Sequence, residues 1–297
     1  YKQQSPFLAR KIGAALVARN AAAHLETVLA DRPGGWQPLV YCWRGGQRSN
    51  SFASILAQIG WRVAVVQGGY KTWRRLVVEQ VYDRPLPCAL HVLDGYTGTA
   101  KTALLGVLAT HGVQVIDLEG LANHRGSVFG PMPGGQTSQR AFEGRLALAL
   151  AALDPARPLV VEAESAKIGN LRLPPRMWRA MHDAPRIEVS APLPVRAAFL
   201  AQSYRDITAD SENLARLISS LRPLHPAERV ENWLAMANAG AHASLAEGLM
   251  QFHYDPRYQK SRAKHGSGTA LRLELESLGR EALQSASAQI ARHVAGG

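Results

Sequence analysis

Ala89-Leu90-His91-Val92-Leu93-Asp94-Gly95-Tyr96-Thr97-Gly98-Thr99-Ala100-Lys101-Thr102 passes from a short apolar segment, through a glycine-bearing turn, into Lys-Thr and a helix-forming run. That order reads as strand, loop, helix. Backbone N–H groups of such a loop wrap phosphate oxygens, the lysine neutralises them, and the hydroxyl can hold a divalent cation. Gly95, Thr97, Gly98, Lys101 and Thr102 are therefore phosphate-binding candidates. Glycine is the usual residue before the lysine. Ala100 stands there, and its methyl group is expected to be tolerated only at negative φ.

Outward from this loop, short apolar runs alternate with helical ones. Strands are expected at Ala89–Leu93, Val113–Leu118, Leu159–Val161 and Arg186–Val189, which implies a parallel sheet. Helices are expected at Val195–Tyr204, Glu212–Leu221, Ala227–Asn238 and His242–Met250, and the tail from Ala270 reads as one more. Acidic residues end two strands: Asp117 with Glu119, and Glu162 with Glu164. Either pair could support a cation beside Thr102, and spacing does not choose between them. The glycine- and proline-rich segment 120–138 has no period, and loops of that length are usually functional.

Upstream, Phe7–Leu29 reads as a helix. Pro38–Tyr41 delivers Cys42 into the turn Trp43-Arg44-Gly45-Gly46, a helix follows from Arg48 to Ile59, and Val63–Val66 reads as a buried strand ending on Gly68-Gly69. A thiol at a strand end facing a helix N-terminus is favoured as thiolate. Arg44 and Arg48 add positive charge, so Cys42, Arg44 and Arg48 are catalytic candidates. The Cys-x5-Arg spacing also permits phosphatase chemistry. Cys88, after Pro87, reads as structural.

Composition narrows the class. The 297 residues carry 34 lysines and arginines against 23 acidic residues, a formal charge of +11, which suits a polyanionic partner. No apolar run reaches the roughly eighteen residues that would span a bilayer. Nothing resembles a signal peptide, so the expected location is the cytoplasm. With two cysteines in a chain of this size, no disulfide is expected.

The Cys42 loop resembles the active-site loop of rhodanese-like domains, and Val66-Gln67-Gly68-Gly69-Tyr70-Lys71-Thr72-Trp73 resembles the segment that closes them. Together with the phosphate loop, Asp117-Leu118-Glu119-Gly120-Leu121-Ala122-Asn123-His124-Arg125-Gly126-Ser127 and Val161-Glu162-Ala163-Glu164-Ser165-Ala166-Lys167-Ile168-Gly169 resemble the tRNA 2-selenouridine synthase family. Leu173-Pro174-Pro175, Trp178, Met181 and His253-Tyr254-Asp255-Pro256-Arg257-Tyr258 add to the likeness. The resemblance implies an α/β chain: a rhodanese-like parallel sheet over 1–82, N-terminally incomplete, a linker at 83–87, a P-loop NTPase-like domain over 88–191 and a mostly helical region over 192–297.

It further implies exchange of sulfur for selenium in 2-thiouridine at the tRNA wobble position. Selenophosphate and geranyl diphosphate are the implied substrates, no tightly bound cofactor is expected, and magnesium is allowed. On that reading His124 joins the catalytic candidates. Asp117, Glu119 and Arg125 line the phosphate pocket, and Thr102 and Glu162 hold metal. Lys167, Arg172, Arg176 and Arg179 are candidates for the tRNA backbone, with residues 253–265 next in line. Two other readings stay open. One is a P-loop kinase or ATPase fused to a sulfurtransferase or cysteine phosphatase, and the other is a tRNA-binding protein without catalysis.

Overall fold

The computed structural model describes residues 5–44, 46–262 and 268–296. The chain divides into two units, Tyr1–Glu79 and Gln80–Gly297.

In the first unit, α1 (Pro6–Glu26) starts where the Ser5 hydroxyl accepts the Leu8 N–H at 3.2 Å and Pro6 opens the first turn. Strand β1 (Leu39–Val40) precedes α2 (Gln47–Gln58), and β2 (Ala64–Val65) precedes α3 (Tyr70–Val78). The two strands pair in parallel, Leu39 with Ala64 and Val40 with Val65. Helix α1 packs on α2. Val63–Val66 was expected to be buried. Instead Val65 is 36% and Leu39 65% exposed, because a ladder of two residues per strand offers little surface to cover. Trp61 anchors the strand entry, its indole N–H donating to Pro33 O at 3.0 Å.

The second unit contains, in order, β3 (Leu90–Asp94), α4 (Lys101–Thr110), β4 (Gln114–Ile116), α5 (Leu118–Ala122), α6 (Gln139–Ala151) and β5 (Leu159–Glu162). A hairpin of β6 (Lys167–Ile168) and β7 (Leu171–Arg172) leads to α7 (Pro175–Asp183) and β8 (Arg186–Ser190). Helices α8 (Leu193–Ser203), α9 (Arg205–Thr208), α10 (Ser211–Ser219), α11 (Ala227–Asn238) and α12 (His242–Leu249) follow. A π-helical turn, Met250–Tyr254, joins α12 to α13 (Asp255–Arg262), and β9 (Thr269–Glu274) and α14 (Arg280–Ala295) end the chain.

Five strands form one parallel sheet in the order β4-β5-β3-β8-β9. Helices cover both faces of the sheet, and Leu93, Val160, Val161, Ile187 and Val189 of its central strands are fully buried. The reading of the tail as a helix from Ala270 is corrected here. Leu271–Glu274 alternates apolar and polar side chains, and the strand Thr269–Glu274 pairs with β8 before α14 begins. Ala286, Ile290 and Val294 of α14 complete the core beneath α4. A separate cluster around Trp233, Ile218, Leu245 and Leu249 holds α10, α11 and α12 together.

In this sheet order the chain leaves β3 between two strands whose connections run to opposite sides. Ligand sites of open parallel sheets form at such switch points, beyond the C-terminal ends of the strands. The loop 95–100 sits there.

Candidate functional site

The phosphate loop is shaped by close packing. A Cβ on Gly95 would lie 2.5 Å from Val189 O, and one on Gly98 would lie 2.6 Å from Met250 Cε and 2.9 Å from Arg196 O. Ala100 contradicts the sequence expectation: its φ is +60°, the left-handed region, at the N-cap of α4. The loop geometry imposes this conformation, which costs a residue with a Cβ roughly 1–2 kcal/mol. Lys101 Nζ donates to Gly95 O at 2.7 Å and to Tyr96 O at 3.3 Å, so its charge is folded over the loop. Arg196 ties the loop to the helical lobe. It donates to Thr97 O at 3.0 Å and forms a two-pronged pair with Asp255, at 3.1 and 2.8 Å.

The loop floors a cavity of about 470 Å³ lined by Thr97, Gly98, Lys101 and Thr102, with Asp117, Glu119, Arg125, Glu162 and Glu164 around it. Nine of the site residues named from sequence thus meet here or in the loop itself. The two acidic pairs prove not to be alternatives. Because β5 lies between β4 and β3, carboxylate oxygens of Glu119, Glu162 and Glu164 come within 4.8 Å of one another. Thr102 Oγ1 sits 3.2 Å from Glu162 Oε2 and 3.5 Å from Glu119 Oε2. Asp117 instead caps α5, accepting the Gly120 N–H at 2.7 Å.

Burial, then the neighbouring Glu164 charge, pushes the Glu119 carboxyl up to about 8. Burial and the Glu162 charge push Glu164 up to about 7. Burial also drives Glu162 well above its ordinary value. Three crowded oxygen donors beside a threonine hydroxyl suit a hard divalent cation, which would replace the protons this crowding retains.

His124 has another place. It is buried, lies outside the cavity lining, and its Nδ1 accepts the Gly126 N–H at 3.1 Å. Burial lowers its pKa. Its ring fills the inside of the 123–138 loop, where a Cβ on Gly130 would approach its Cε1 to 2.5 Å. That position suits shaping the loop that carries Arg125. The Arg125 guanidinium lies 4.7 Å over the Tyr204 ring and pairs with Asp206 at 2.9 Å.

Sequence reasoning missed the apolar side of the site. A cleft lined by Phe129, Leu200, Ile207, Leu214, Leu245 and Leu249 shares Thr97, Ser127, Leu200, Tyr204 and Tyr254 with the phosphate cavity. Burial pushes the Tyr204 hydroxyl up to about 12 and raises that of Tyr254, so both stay neutral at the seam between the two spaces. No local motif marks Tyr204 or the apolar residues of this cleft.

The basic candidates separate. Lys167 and Arg172 are exposed and directly paired across the β6–β7 hairpin. Arg176 and Arg179, also exposed, line a different cavity of about 350 Å³ with Arg84. Within 253–265, His253 is buried against His225, Nδ1 to Nε2 at 2.9 Å, while residues 263–265 lie outside the described residues.

In the first unit, Cys42 Sγ lies 3.4 Å from the Ser49 hydroxyl and 3.4 Å from Arg44 O, just ahead of α2. The Ser49 hydroxyl and backbone lower its pKa to about 7. Arg44 and Arg48 are exposed beside it, and Gly45 lies outside the described residues. Gly69 is required here: its φ is +65° and a Cβ would come to 2.2 Å from Cys42 O. Burial raises the Cys88 thiol instead.

A family model for the AAA domain of tRNA 2-selenouridine synthase matches residues 88–220. Proteins named tRNA 2-selenouridine synthase are similar over much of the chain. That of Aeromonas salmonicida (strain A449) is 38% identical over 65% of this chain and 56% of its own length. That of Alcanivorax borkumensis is 32% identical over 76% of this chain and 68% of its own. That of Pseudomonas syringae pv. syringae is 32% identical over 88% and 78%. The chain thus spans from a little over half to about three quarters of the length of these relatives. Among solved structures, a gluconokinase from Sinorhizobium meliloti 1021 matches with a TM-score of 0.27 and 14% identity, covering 71% of this chain and 98% of that one, too weak a likeness to carry an argument. Among the described residues no helix is long and apolar enough to cross a membrane.

Proposed function

Because the chain belongs to the tRNA 2-selenouridine synthase family, we propose that it replaces sulfur by selenium in 2-thiouridine at the tRNA wobble position through an S-geranylated intermediate. The observation that supports the prenyl step is the apolar side of the 470 Å³ phosphate cavity, where Met132, Phe199 and Leu200 line it and a narrow apolar recess of about 50 Å³ opens at Tyr204 and Tyr254. A phosphate loop with an apolar annex suits a ligand with a diphosphate head and a hydrocarbon tail.

In the first step, the 2-sulfur of the base attacks C1 of the geranyl chain, the C–O bond breaks, diphosphate leaves with the electron pair, and the N3 proton is released to solvent. Lys101, the loop N–H groups and the N-terminus of α4 receive that charge. A magnesium ion held by Thr102 and Glu162, with Glu119 and Glu164 adjacent, would share it. The neutral tyrosine hydroxyls and the apolar wall exclude water, which would otherwise intercept the allylic carbon.

Alkylation turns a poor leaving group into a good one. Selenium from selenophosphate then adds at ring C2, the C2–S bond breaks, geranylthiol departs with a proton, and water cleaves the Se–P bond. The loop of Cys42, which resembles that of rhodanese-like domains, supplies a thiol near its titration point for handling the anionic selenium donor, with Arg44 and Arg48 beside it.

The test is mass spectrometry of tRNA nucleosides after incubation with each donor. Geranyl diphosphate alone should yield S-geranyl-2-thiouridine, and both donors together should yield 2-selenouridine. Unchanged nucleosides together with ATP hydrolysis would favour the kinase or ATPase reading.

A further inference from the structure

A smaller cavity, of about 240 Å³, adjoins the phosphate cavity, and the two share Ala163, Glu164 and Tyr258. Its remaining walls are unlike those of a phosphate site. On one side stands the indole of Trp178, half-buried on α7. The loop after β5 contributes Ser165 and Ala166. Across from them lies an ion group, in which buried Asp94 takes a hydrogen bond from Arg186 at 2.9 Å and has Arg262 at 3.8 Å.

These walls select a ligand class. At 240 Å³ the space is smaller than the usual pocket for a drug-sized or nucleotide ligand. An indole face offers stacking to a flat ring and little to a hydrocarbon chain. The Arg262 guanidinium, engaged by Glu188 at 2.6 Å, places positive charge at the wall, and the Glu164 carboxyl offers an acceptor. A pyrimidine imide edge needs that combination, since O4 accepts and N3–H donates. The loop that lines the cavity continues directly into exposed Lys167, whose neighbour across the hairpin is exposed Arg172. Two cations thus stand where the sugar-phosphate backbone of an inserted nucleotide would leave the protein.

We infer that this cavity receives the pyrimidine base of the RNA target, turned out of its loop and stacked on Trp178, with Glu164 and Tyr258 at the boundary where it meets the phosphate cavity. The inference rests on the reading of the chain as a tRNA-modifying transferase. Enzymes that act on a base commonly extrude it, and the cost is least in a single-stranded loop. A base seated here presents its 2-substituent at the shared boundary, toward the phosphate loop.

The experiment compares two anticodon stem-loop RNAs at fixed salt, one with 2-thiouridine at the wobble position and one abasic there. Parent, Trp178→Ala and Trp178→Phe chains are measured. The parent should bind the abasic RNA roughly tenfold or more weakly, the size of one lost stacking contact. Trp178→Ala should bind both RNAs alike, Trp178→Phe should recover most of the preference, and affinity for geranyl diphosphate should be equal in all three. A full preference in Trp178→Ala, or none in the parent, would overturn the inference.

Should Trp178→Ala fail to fold, shown by loss of geranyl diphosphate binding, the parent alone decides through photocrosslinking with 5-iodouridine at the wobble position. A crosslink in the peptide 175–183 supports the site, and crosslinks confined to other segments overturn it. The two readings fail separately. Normal geranylation with an unchanged base preference in Trp178→Ala removes the base site alone. A base preference that Trp178→Ala abolishes, in a parent chain that never geranylates, removes the transferase reading and keeps the base site.

Discussion

Thr102 Oγ1 and Glu162 Oε2 lie 3.2 Å apart, joining the first turn of α4 to the end of β5. Around this contact three carboxyls are held above their ordinary values by burial and by one another, Glu119 to about 8 and Glu164 to about 7. The folded chain therefore binds more protons than the unfolded chain between about pH 4.5 and pH 8. Stability contributed by this cluster is complete below pH 4.5 and is lost as pH rises toward 8, by up to about 1.4 kcal/mol per pH unit for each proton involved. Magnesium, taking the place of the protons, should flatten that decline. Urea unfolding from pH 5 to 8.5 in EDTA and in magnesium measures both slopes. A decline equal in the two series would mean that these oxygens hold no cation.

Lys101 is the main mobile charge of the loop, and its Nζ is held by Gly95 O and Tyr96 O. Lys101→Ala should slow geranyl transfer about a hundredfold or more, the usual effect of removing one preorganised charge from a leaving group. Single-turnover transfer from geranyl diphosphate to 2-thiouridine tRNA gives the rate. A parental rate would remove the lysine from the reaction.

Cys42 owes its lowered pKa first to the Ser49 hydroxyl at 3.4 Å. Alkylation of Cys42 by iodoacetamide should therefore rise through a midpoint near pH 7. Ser49→Ala should move that midpoint upward. Cys88, raised by burial, should react more slowly throughout. Peptide mass spectrometry across a pH series reads all three curves. Cys42→Ser should abolish selenium incorporation and leave geranylation standing, since the loop 95–102 and the cavity it floors lie wholly in the second unit.

Ala100 carries a strain that glycine would not. At φ +60° its Cβ crowds the following carbonyl, so Ala100→Gly should stabilise the chain by about 1 kcal/mol. For a unit of this size that corresponds to a rise in Tm of roughly 2–4 °C. Differential scanning calorimetry settles the sign, and a fall in Tm would show that the loop needs the methyl group in the core more than it needs relief.

The phosphate loop was legible because its chemistry is contiguous: strand, glycines, Lys101 and Thr102 occupy one run of chain. The meeting of Glu119 with Glu162 and Glu164 was not, since it depends on β4 and β5 being neighbours, which no spacing reveals. The cleft beside Tyr204 draws single apolar residues from several helices, each of which reads as ordinary helix core. Leu271–Glu274 showed the period of a strand, and the helical run after it masked the six residues of β9. His124 is placed differently from the residues of the cavity. A polar residue in a family motif invites a chemical role, yet its ring is occupied in holding a glycine-rich loop in shape.

Lys167 and Arg172 stand directly opposite each other on a two-strand hairpin. Like charges in that relation repel and destabilise the pair, and a polyanion resting on them, as proposed for tRNA, would relieve that repulsion. Each phosphate contact in a single-stranded region adds about 0.7 to the slope of log affinity against log salt. Replacing both residues with alanine should therefore flatten the slope for tRNA by about one to two units, and should leave hairpin stability equal or higher. Geranyl diphosphate binding should not change, because neither residue lines the phosphate cavity. The same double change at Arg176 and Arg179, which line a different cavity, tests whether the RNA path extends along α7. Filter binding from low to high salt with parent and both double variants gives the slopes. A flattened slope in the hairpin variant alone would confine the path to the side of the chain where Trp178 meets Glu164, and equal slopes in all three would take the RNA off both surfaces.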